Sequence, residues 1–556
     1  MRRRIRERAV AGATLALAAC SAAPGGGAGA PSPLPSAREE RVLVPAFTVA
    51  EGVAATERQV YVASPDGIAA LDRAFDRWLP PVTRLDRYPG GQVTAIAADP
   101  TEDGVWVARP GALALWRPTL DQIAVTPMPG IVDAIVFDRR DPGAGAYVHG
   151  AGGWSLASRT GLVTPVSPAA VPPPDARDRP AGLADIWRQY PSLQAASSLI
   201  TRDDALRIWP PIAGASTPGR SEVWLGTAGG GLFRADPVFL KGEQLPYGPL
   251  ETGLGAVARA ADGVWMAGLG QGERGGLAFA TSDLQHWRWL SGALATRLAG
   301  ARANRLAVRG RDAWLATDRG LVLLDTENPA RVLAWTAGNG LPADAALAVL
   351  PTGAGAWAGT ARGLVFVRDS GAARAASSGA VSATMASGVA VRALLLTGDT
   401  LWVGSDAGLL LVRGASPDSA PRRAAIADGR LSRPVRALAR GDSLVVAATD
   451  GGVVCIDART GAPSRECAAL DASPVRDVEA LAMDGRAIVL AGPAGVVVFT
   501  RPVGGRRGGS GTVRVLPVPS AVPDEAYDVA LDDDFVWVAT RAGLLRLARL
   551  SDGGVR

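Results

Sequence analysis

The 556-residue chain holds two histidines, one lysine and three cysteines. His149 and His286 are all it has for proton exchange by imidazole near neutral pH, so histidine-based acid–base chemistry has little to draw on. Neither lies among Cys, His or carboxylates at metal-ligand spacing, and no metal and no cofactor is expected. A nucleophile elbow, a dinucleotide fingerprint opening a helix and a motif pairing carboxylates are all missing. Carboxylates that converge only in three dimensions are the catalytic resource left open. An excess of one charge is missing too. Residues 1–19 carry five arginines and one glutamate, and without them 53 basic side chains face 52 acidic ones. That balance leaves no electrostatic footprint for nucleic acid. Helix-period segments are scarce.

What is abundant is glycine, with 68 residues. In Asp399–Arg413 two short apolar runs flank a tight turn, and period-2 alternation around Trp402 marks a β-hairpin. The pattern recurs eleven times. Its middle first-strand position is Tyr61, Trp106, Tyr147, Trp224, Trp265, Trp314, Trp357, Trp402, Val446, Val489 and Trp537. The glycine opening the second strand recurs at Gly67, Gly111, Gly152, Gly231, Gly276, Gly320, Gly363, Gly408, Gly452, Gly495 and Gly543. Adjacent copies are 41 to 48 residues apart, except for a gap of 79 after Gly152. A run before each hairpin and a weaker one after it complete four strands, A to D. Such a period is the mark of a propeller blade. The expected fold is all-β, a β-propeller of about eleven four-stranded blades over residues 41–556, with one large ring favoured over two in tandem. The tryptophans read as inter-blade core. The last repeat lacks a strand D, which Arg41–Val44 can supply, closing the sheet edges.

Residues 165–200 break the period. Leu183, Ile186, Trp187 and Tyr190 share one helical face, so a short helical insertion is expected between blades three and four. Arg207–Ala213 is expected to form strand A of blade four and Phe47–Val53 that of blade one. Gly268–Gly276 lengthens the B–C turn of blade five. In a propeller, D–A and B–C loops emerge on one face, so both insertions enlarge that face. It is the expected partner surface, with Trp187, Arg188, Tyr190 and Arg274 as contacts. His286-Trp-Arg-Trp289, on strand D of blade five, is either an exposed interface or a buried alternation. Asp532-Asp-Asp534 reads as a turn.

Cys455 on strand C and Cys467 on strand D of blade nine face each other if the hairpin is symmetric about Gly461, so a disulfide is expected.

The N-terminus has a basic start (Met1–Arg8), an apolar run (Ala9–Ala19) too short to span a bilayer, and Leu17-Ala-Ala-Cys20. This resembles the lipobox of bacterial lipoproteins. The resemblance implies a signal peptide over 1–19 and lipid on Cys20. Ser21, where the family's inner-membrane retention signal is an Asp, favours the periplasmic side of an outer membrane in a diderm host. Residues 20–40 read as a flexible Ala/Gly/Pro/Ser tether.

Glu222-Val-Trp-Leu-Gly-Thr-Ala-Gly-Gly-Gly-Leu-Phe-Arg234, and Asn339-Gly-Leu-Pro342 followed by Ala356-Trp-Ala-Gly-Thr-Ala-Arg-Gly-Leu364, resemble the two-component regulator propeller repeat of the WD40/YVTN-like superfamily. The resemblance covers most of residues 220–548. It implies a propeller outside the cytoplasm, often a sensor module. The expected function is a lipid-anchored binding or scaffold propeller for an envelope protein partner. The alternatives are a ligand-binding sensor signalling through a separate chain, and a carbohydrate-active lyase or hydrolase.

Overall fold

The computed structural model describes residues 40–556 apart from 139, 142, 174–181, 218–221, 272–274, 292–299, 369–380, 386–387, 415–421, 473–476, 502–510 and 556. Among the described residues, alternating apolar strands and tight turns fold into eleven four-stranded antiparallel sheets, the first ten of them up-and-down meanders. This is β-propeller architecture. Sheets one to eleven are numbered in chain order, with strands A to D running outward. Strand A is Gly52–Ala55, Ala95–Ala98, Val132–Phe137, Pro211–Ser216, Leu254–Arg259, Ala303–Arg309, Ala346–Thr352, Val391–Thr397, Val435–Arg440, Ala480–Met483 and Ala526–Leu531 in turn. The B-strand aromatics Trp106, Trp224, Trp314, Trp357 and Trp537 are buried to 2% exposure or less, as core residues between sheets.

Strand D of the eleventh sheet is Arg41–Val44, paired antiparallel with strand C from Arg41↔Leu547 to Val44↔Leu544. The turn that receives it requires glycine. Gly543 has φ +134°, and a Cβ there would lie 2.4 Å from the Val44 carbonyl oxygen. The residue ending strand B locks these turns through its hydroxyl. Thr317, Thr360, Ser405, Thr449 and Thr540 each donate to the carbonyl of the glycine that opens strand C at 2.7–2.9 Å.

The order of inner strands corrects one expectation. A single ring of eleven would set Gly52–Ala55 beside Ala526–Leu531. Instead Ala526–Leu531 packs against Leu254–Arg259 of sheet five, and the neighbours then run through sheets six to ten back to eleven. Seven inner strands follow one another and return to the first. The other four run in the order four, one, two, three. Gly226 of sheet four meets the Ala50 carbonyl before strand A of sheet one, as Gly359 of sheet seven meets Val391 at strand A of sheet eight. One apolar cluster joins the two groups: Val44, Val53, Trp224, Tyr247, Met266 and Trp537 belong to it. At its centre Tyr247 stacks on Trp78 with ring centroids 4.3 Å apart.

Two strands start later than expected. Phe47–Ala50 runs along the B–C turn of sheet four, with Ala50 N donating to Thr227 O and Gly231 N to Thr48 O, so strand A of sheet one begins at Gly52. Arg202 and Ile208 pair in a bridge whose loop is held by the Asp203 carboxylate, which accepts from Arg207 N, Arg207 Nε and Trp209 Nε1. Strand A of sheet four therefore begins at Pro211. The insertion forms three short helices, Leu183–Gln189, Pro191–Ala195 and Ser197–Ile200. Their apolar side covers sheet four: Ile186, Leu193 and Ile200 are buried against Val223, Leu225 and Phe233.

Cys455 and Cys467 are joined in a disulfide with Cα atoms 5.9 Å apart. The strand pairing behind the expectation differs. Strand D of sheet nine is only Pro463–Ser464, and Cys455 lies opposite Ser464. Cys467 reaches Cys455 from the segment entering the 3-10 turn Ala468–Ala472.

Two outcomes follow for stability. Gly543→Val removes the positive-φ residue and crowds the Val44 carbonyl, and it should destabilise by about 2 kcal/mol or more in thermal denaturation. Cys455→Ser should cost about 2–3 kcal/mol relative to the oxidised protein, and reducing agent should lower the melting temperature of the parent but not of the variant.

Candidate functional site

The seven inner strands surround a polar mouth. Near the start of strand A the ladder to strand B slips by one residue in sheets five to nine and eleven. The residues passed over are Gly255, Asn304, Leu347, Arg392, Arg436 and Tyr527. A β-bulge frees a side chain from the ladder and re-aims it. These six, with Glu479 at the same place in sheet ten and with Arg302 and Arg305, line a cavity of about 80 Å³ to which all seven sheets contribute.

The cations of this mouth are answered locally. Arg392 Nε donates to Asp406 at 2.6 Å and Arg436 Nε to Asp450 at 2.8 Å, each aspartate lying in the B–C turn of its own sheet. The Arg302 guanidinium lies 5.1 Å over the Tyr527 ring. The Tyr527 hydroxyl donates to Glu525, and burial together with that carboxylate pushes its pKa up to about 12. Arg305 spans the mouth. It donates to the Glu479 carbonyl of sheet ten and lies 3.3 Å from the Asp528 carboxylate of sheet eleven. Asp528 also accepts from Val257 N of sheet five at 3.1 Å, which ties the first of the seven sheets to the last. Burial pushes the Asp528 carboxyl above the usual carboxylate range, while Arg305 and the N–H groups of Val257 and Val529 pull it back.

A larger cleft of about 960 Å³ separates sheets five and six on the face of the A–B and C–D turns. Its walls are the Arg259–Asp262 turn, Trp265, Phe279 and Arg288 on one side and the Val308–Arg311 turn with Glu327 on the other. On strand D of sheet five Trp287 and Leu290 are buried, Trp289 is half-buried and Arg288 stands exposed. Its guanidinium lies 5.1 Å over Trp265 and 5.9 Å over Phe279. Arg311 is held by Glu327 at 3.1 Å and Arg259 by Asp533 at 3.8 Å. Arg288 makes no ion pair among the described residues. A guanidinium stacked on aromatic faces keeps its in-plane donors free for a carboxylate.

Of the residues singled out from sequence, His286, Trp287 and Arg288 line this cleft, and the expected partner contacts on the helical insertion do not. Trp187 and Tyr190 are half-buried on the cluster covering sheet four, and Arg188 is exposed and pairs with Asp185. Cys20 and Arg274 lie outside the described residues. His149 pairs with Asp133 at 2.7 Å. Asp532 accepts from Asp534 N, Phe535 N and the Trp537 indole, fixing the expected turn. Among the described residues no group of three His, Cys, Asp or Glu side chains is placed to hold a metal ion. The mouth residues were missed, although the repeated Val-Arg-Ala of 391–393 and 435–437 marks two of them.

No family model matches the chain, and no curated protein matches it. Solved structures do. The extracellular domain of BT4673 from B. thetaiotaomicron is 12% identical, covering 90% of this chain and 70% of that one at a TM-score of 0.41. PorZ of Porphyromonas gingivalis, a bacterial surface component of the type-IX secretion system, is 12% identical over 92% of this chain and 100% of its own, with a TM-score of 0.36. BamB from Moraxella catarrhalis is 14% identical over 54% and 83%, with a TM-score of 0.35.

Arg305→Ala leaves the Asp528 carboxylate buried without its counter-charge, and at neutral pH it should destabilise by about 3 kcal/mol in chemical denaturation. A raised acid pKa means the folded state gains by holding the proton. The deficit should therefore shrink as pH falls through that raised pKa, because protonated Asp528 needs no cation. A deficit that does not change with pH would count against the pairing.

Proposed function

We propose that the chain is an exported, lipid-anchored β-propeller, a ring of seven blades bearing an arc of four, that acts as a binding module for an acidic segment of an envelope protein partner. Export and anchoring are supported by the basic start, the apolar run and the Leu17–Cys20 lipobox. Several acyl chains on one Cys suffice for stable anchoring. The two-component regulator propeller resemblance of Glu222–Arg234 and Asn339–Leu364 fits an extracytoplasmic module.

The observation that carries the binding reading is Arg288. Its charge is balanced by no carboxylate among the described residues, its stem and plane are fixed by Trp265 and Phe279, and it borders a cleft at the upper end of the size range of ligand sites. The channel mouth is the poorer candidate, because Asp406, Asp450 and Asp528 already engage its arginines. The hydrolase alternative asks for two carboxylates facing one substrate space. At the mouth Glu479 does so, whereas Asp528 is fully occupied with Arg305, Val257 N and Val529 N.

The test is a titration of the soluble protein, residues 21–556, with a glutamate-rich decapeptide at low and high salt. Binding should be salt-sensitive. Arg288→Ala should weaken it by about tenfold without moving the melting temperature. Equal binding by parent and variant would remove Arg288 from the site. Binding of galacturonate oligomers but not of the peptide would replace the protein partner with an acidic glycan.

A further inference from the structure

The thirteen most exposed large apolar side chains among the described residues all lie between Val49 and Leu240, in sheets one to four and their connections. Six of them sit in C–D turns, one turn per sheet: Phe75, Leu120, Leu162, and Val238, Phe239 and Leu240 together. Three of these turns share a conformation. Phe75, Leu120 and Phe239 each precede a residue at φ near +50°, namely Asp76, Asp121 and Leu240. That geometry lifts the preceding side chain to the tip of the turn. In sheet five the residue before the positive-φ Leu284 is Asp283, and in sheet nine the residue before the positive-φ Gly461 is Thr460.

These tips share one side of the molecule. Arg73, at the C–D corner of sheet one, pairs with Glu222, at the A–B corner of sheet four. Arg159, in the C–D turn of sheet three, pairs with Asp99, in the A–B loop of sheet two. Thr56 and Asp103 join the A–B loops of sheets one and two. The same side continues onto the seven-sheet group. Gln285, in the C–D turn of sheet five, accepts from Trp78 N and donates to Trp78 O at the C–D end of sheet one. Arg546, beside the Arg41↔Leu547 pair, donates to Ser282 O in that same C–D turn. Arg41, where the N-terminal segment joins the fold, is thus on the side of the apolar tips.

We propose that this rim rests on the lipid surface, with Phe239, Phe75, Leu120 and Leu162 entering the interfacial layer. The proposal rests on the reading of Cys20 as lipid-anchored. Two arguments select a bilayer as the occupant. The tips are single apolar side chains on successive turn ends, without the continuous groove that a peptide or helix fills, and a fluid interface accepts isolated tips. Cys20 also lies only twenty-one residues before Arg41, a length whose coil dimension is about 25 Å, so an anchored Cys holds this side of the protein toward the membrane. The cleft beside Arg288 opens on the same side, so docking would place the acidic-ligand site close to the lipid surface.

The experiment uses the full lipidated chain in phosphatidylethanolamine–phosphatidylglycerol vesicles, with an environment-sensitive fluorophore on Phe75→Cys, Phe239→Cys or, on the opposite turns, Ala361→Cys. Labels at 75 and 239 should shift to the blue and be quenched by lipid-borne quenchers at least fivefold more than the label at 361. The triple variant Phe75→Asp/Leu120→Asp/Phe239→Asp should abolish the difference at a label on Leu162→Cys while keeping the parent circular dichroism. Equal quenching at all positions overturns the proposal. So does shielding of position 75 that appears only when envelope protein is added. Metabolic acyl labelling of Cys20 is read separately: if it fails while the unlipidated chain still inserts position 75 into vesicles, the anchor reading falls and the rim stands.

Discussion

The pairing of Arg41–Val44 with Leu544–Leu547 is the contact on which the rest of the architecture depends. A sheet edge left open is a site for aggregation, and in a stack of repeats each unit meets only its neighbours. Here the outermost strand of the last sheet is the first strand of the described chain, so the seven sheets cannot be separated without breaking a contact between distant parts of the sequence. The same choice decides where the other four sheets go. A strand on the outer edge delivers the chain to the rim, and sheets one to four are built there before sheet five begins. The seam is apolar, with Tyr247 between Phe47, Trp78 and Trp287.

The two groups of sheets treat their surfaces differently. In the seven-sheet group, charge is matched close to home, as in Arg392 with Asp406 and Arg436 with Asp450, and no large apolar side chain among the described residues ranks as exposed. The four-sheet arc carries the exposed apolar side chains, and the helices at 183–200 cover the side of sheet four that no sheet covers. Arg288 of the closed group is a cation positioned by aromatic rings that makes no ion pair among the described residues.

Much of this was legible in the sequence. Period-2 alternation around Trp402 or Trp357 and the glycine after a Thr or Ser identify the hairpins, because at these turns the hydroxyl donates to the glycine carbonyl and the glycine takes the positive φ. Arg41–Val44 could be assigned because the last repeat visibly lacks a strand. The order of sheets could not be read. Gly226 presents to Ala50 the same small surface that Gly359 presents to Val391, so each repeat offers one generic edge and says nothing about which repeat takes it. Cys467 was misplaced because the outer strands carry the weakest pattern, and here the strand ends after two residues. The mouth was hidden because its residues share a position and no chemistry: Gly255, Asn304, Leu347, Arg392, Arg436, Glu479 and Tyr527 form no motif.

That last fact bears on how such a molecule can change. At Arg392, Arg436 and Tyr527 the bulged residue sits outside the ladder and can be replaced without loss of a strand hydrogen bond, whereas a Cβ at Gly255 would meet the Ala303 carbonyl at 2.2 Å and Asn304 donates to the Ala346 carbonyl of sheet seven at 2.7 Å. Sheets eight, nine and eleven therefore each have one address at which polarity, size and charge can be rewritten with the ladder left intact. Substitution at those three addresses changes the chemistry of the mouth at little cost to folding, while Gly255 and Asn304 hold the neighbouring inner strands together.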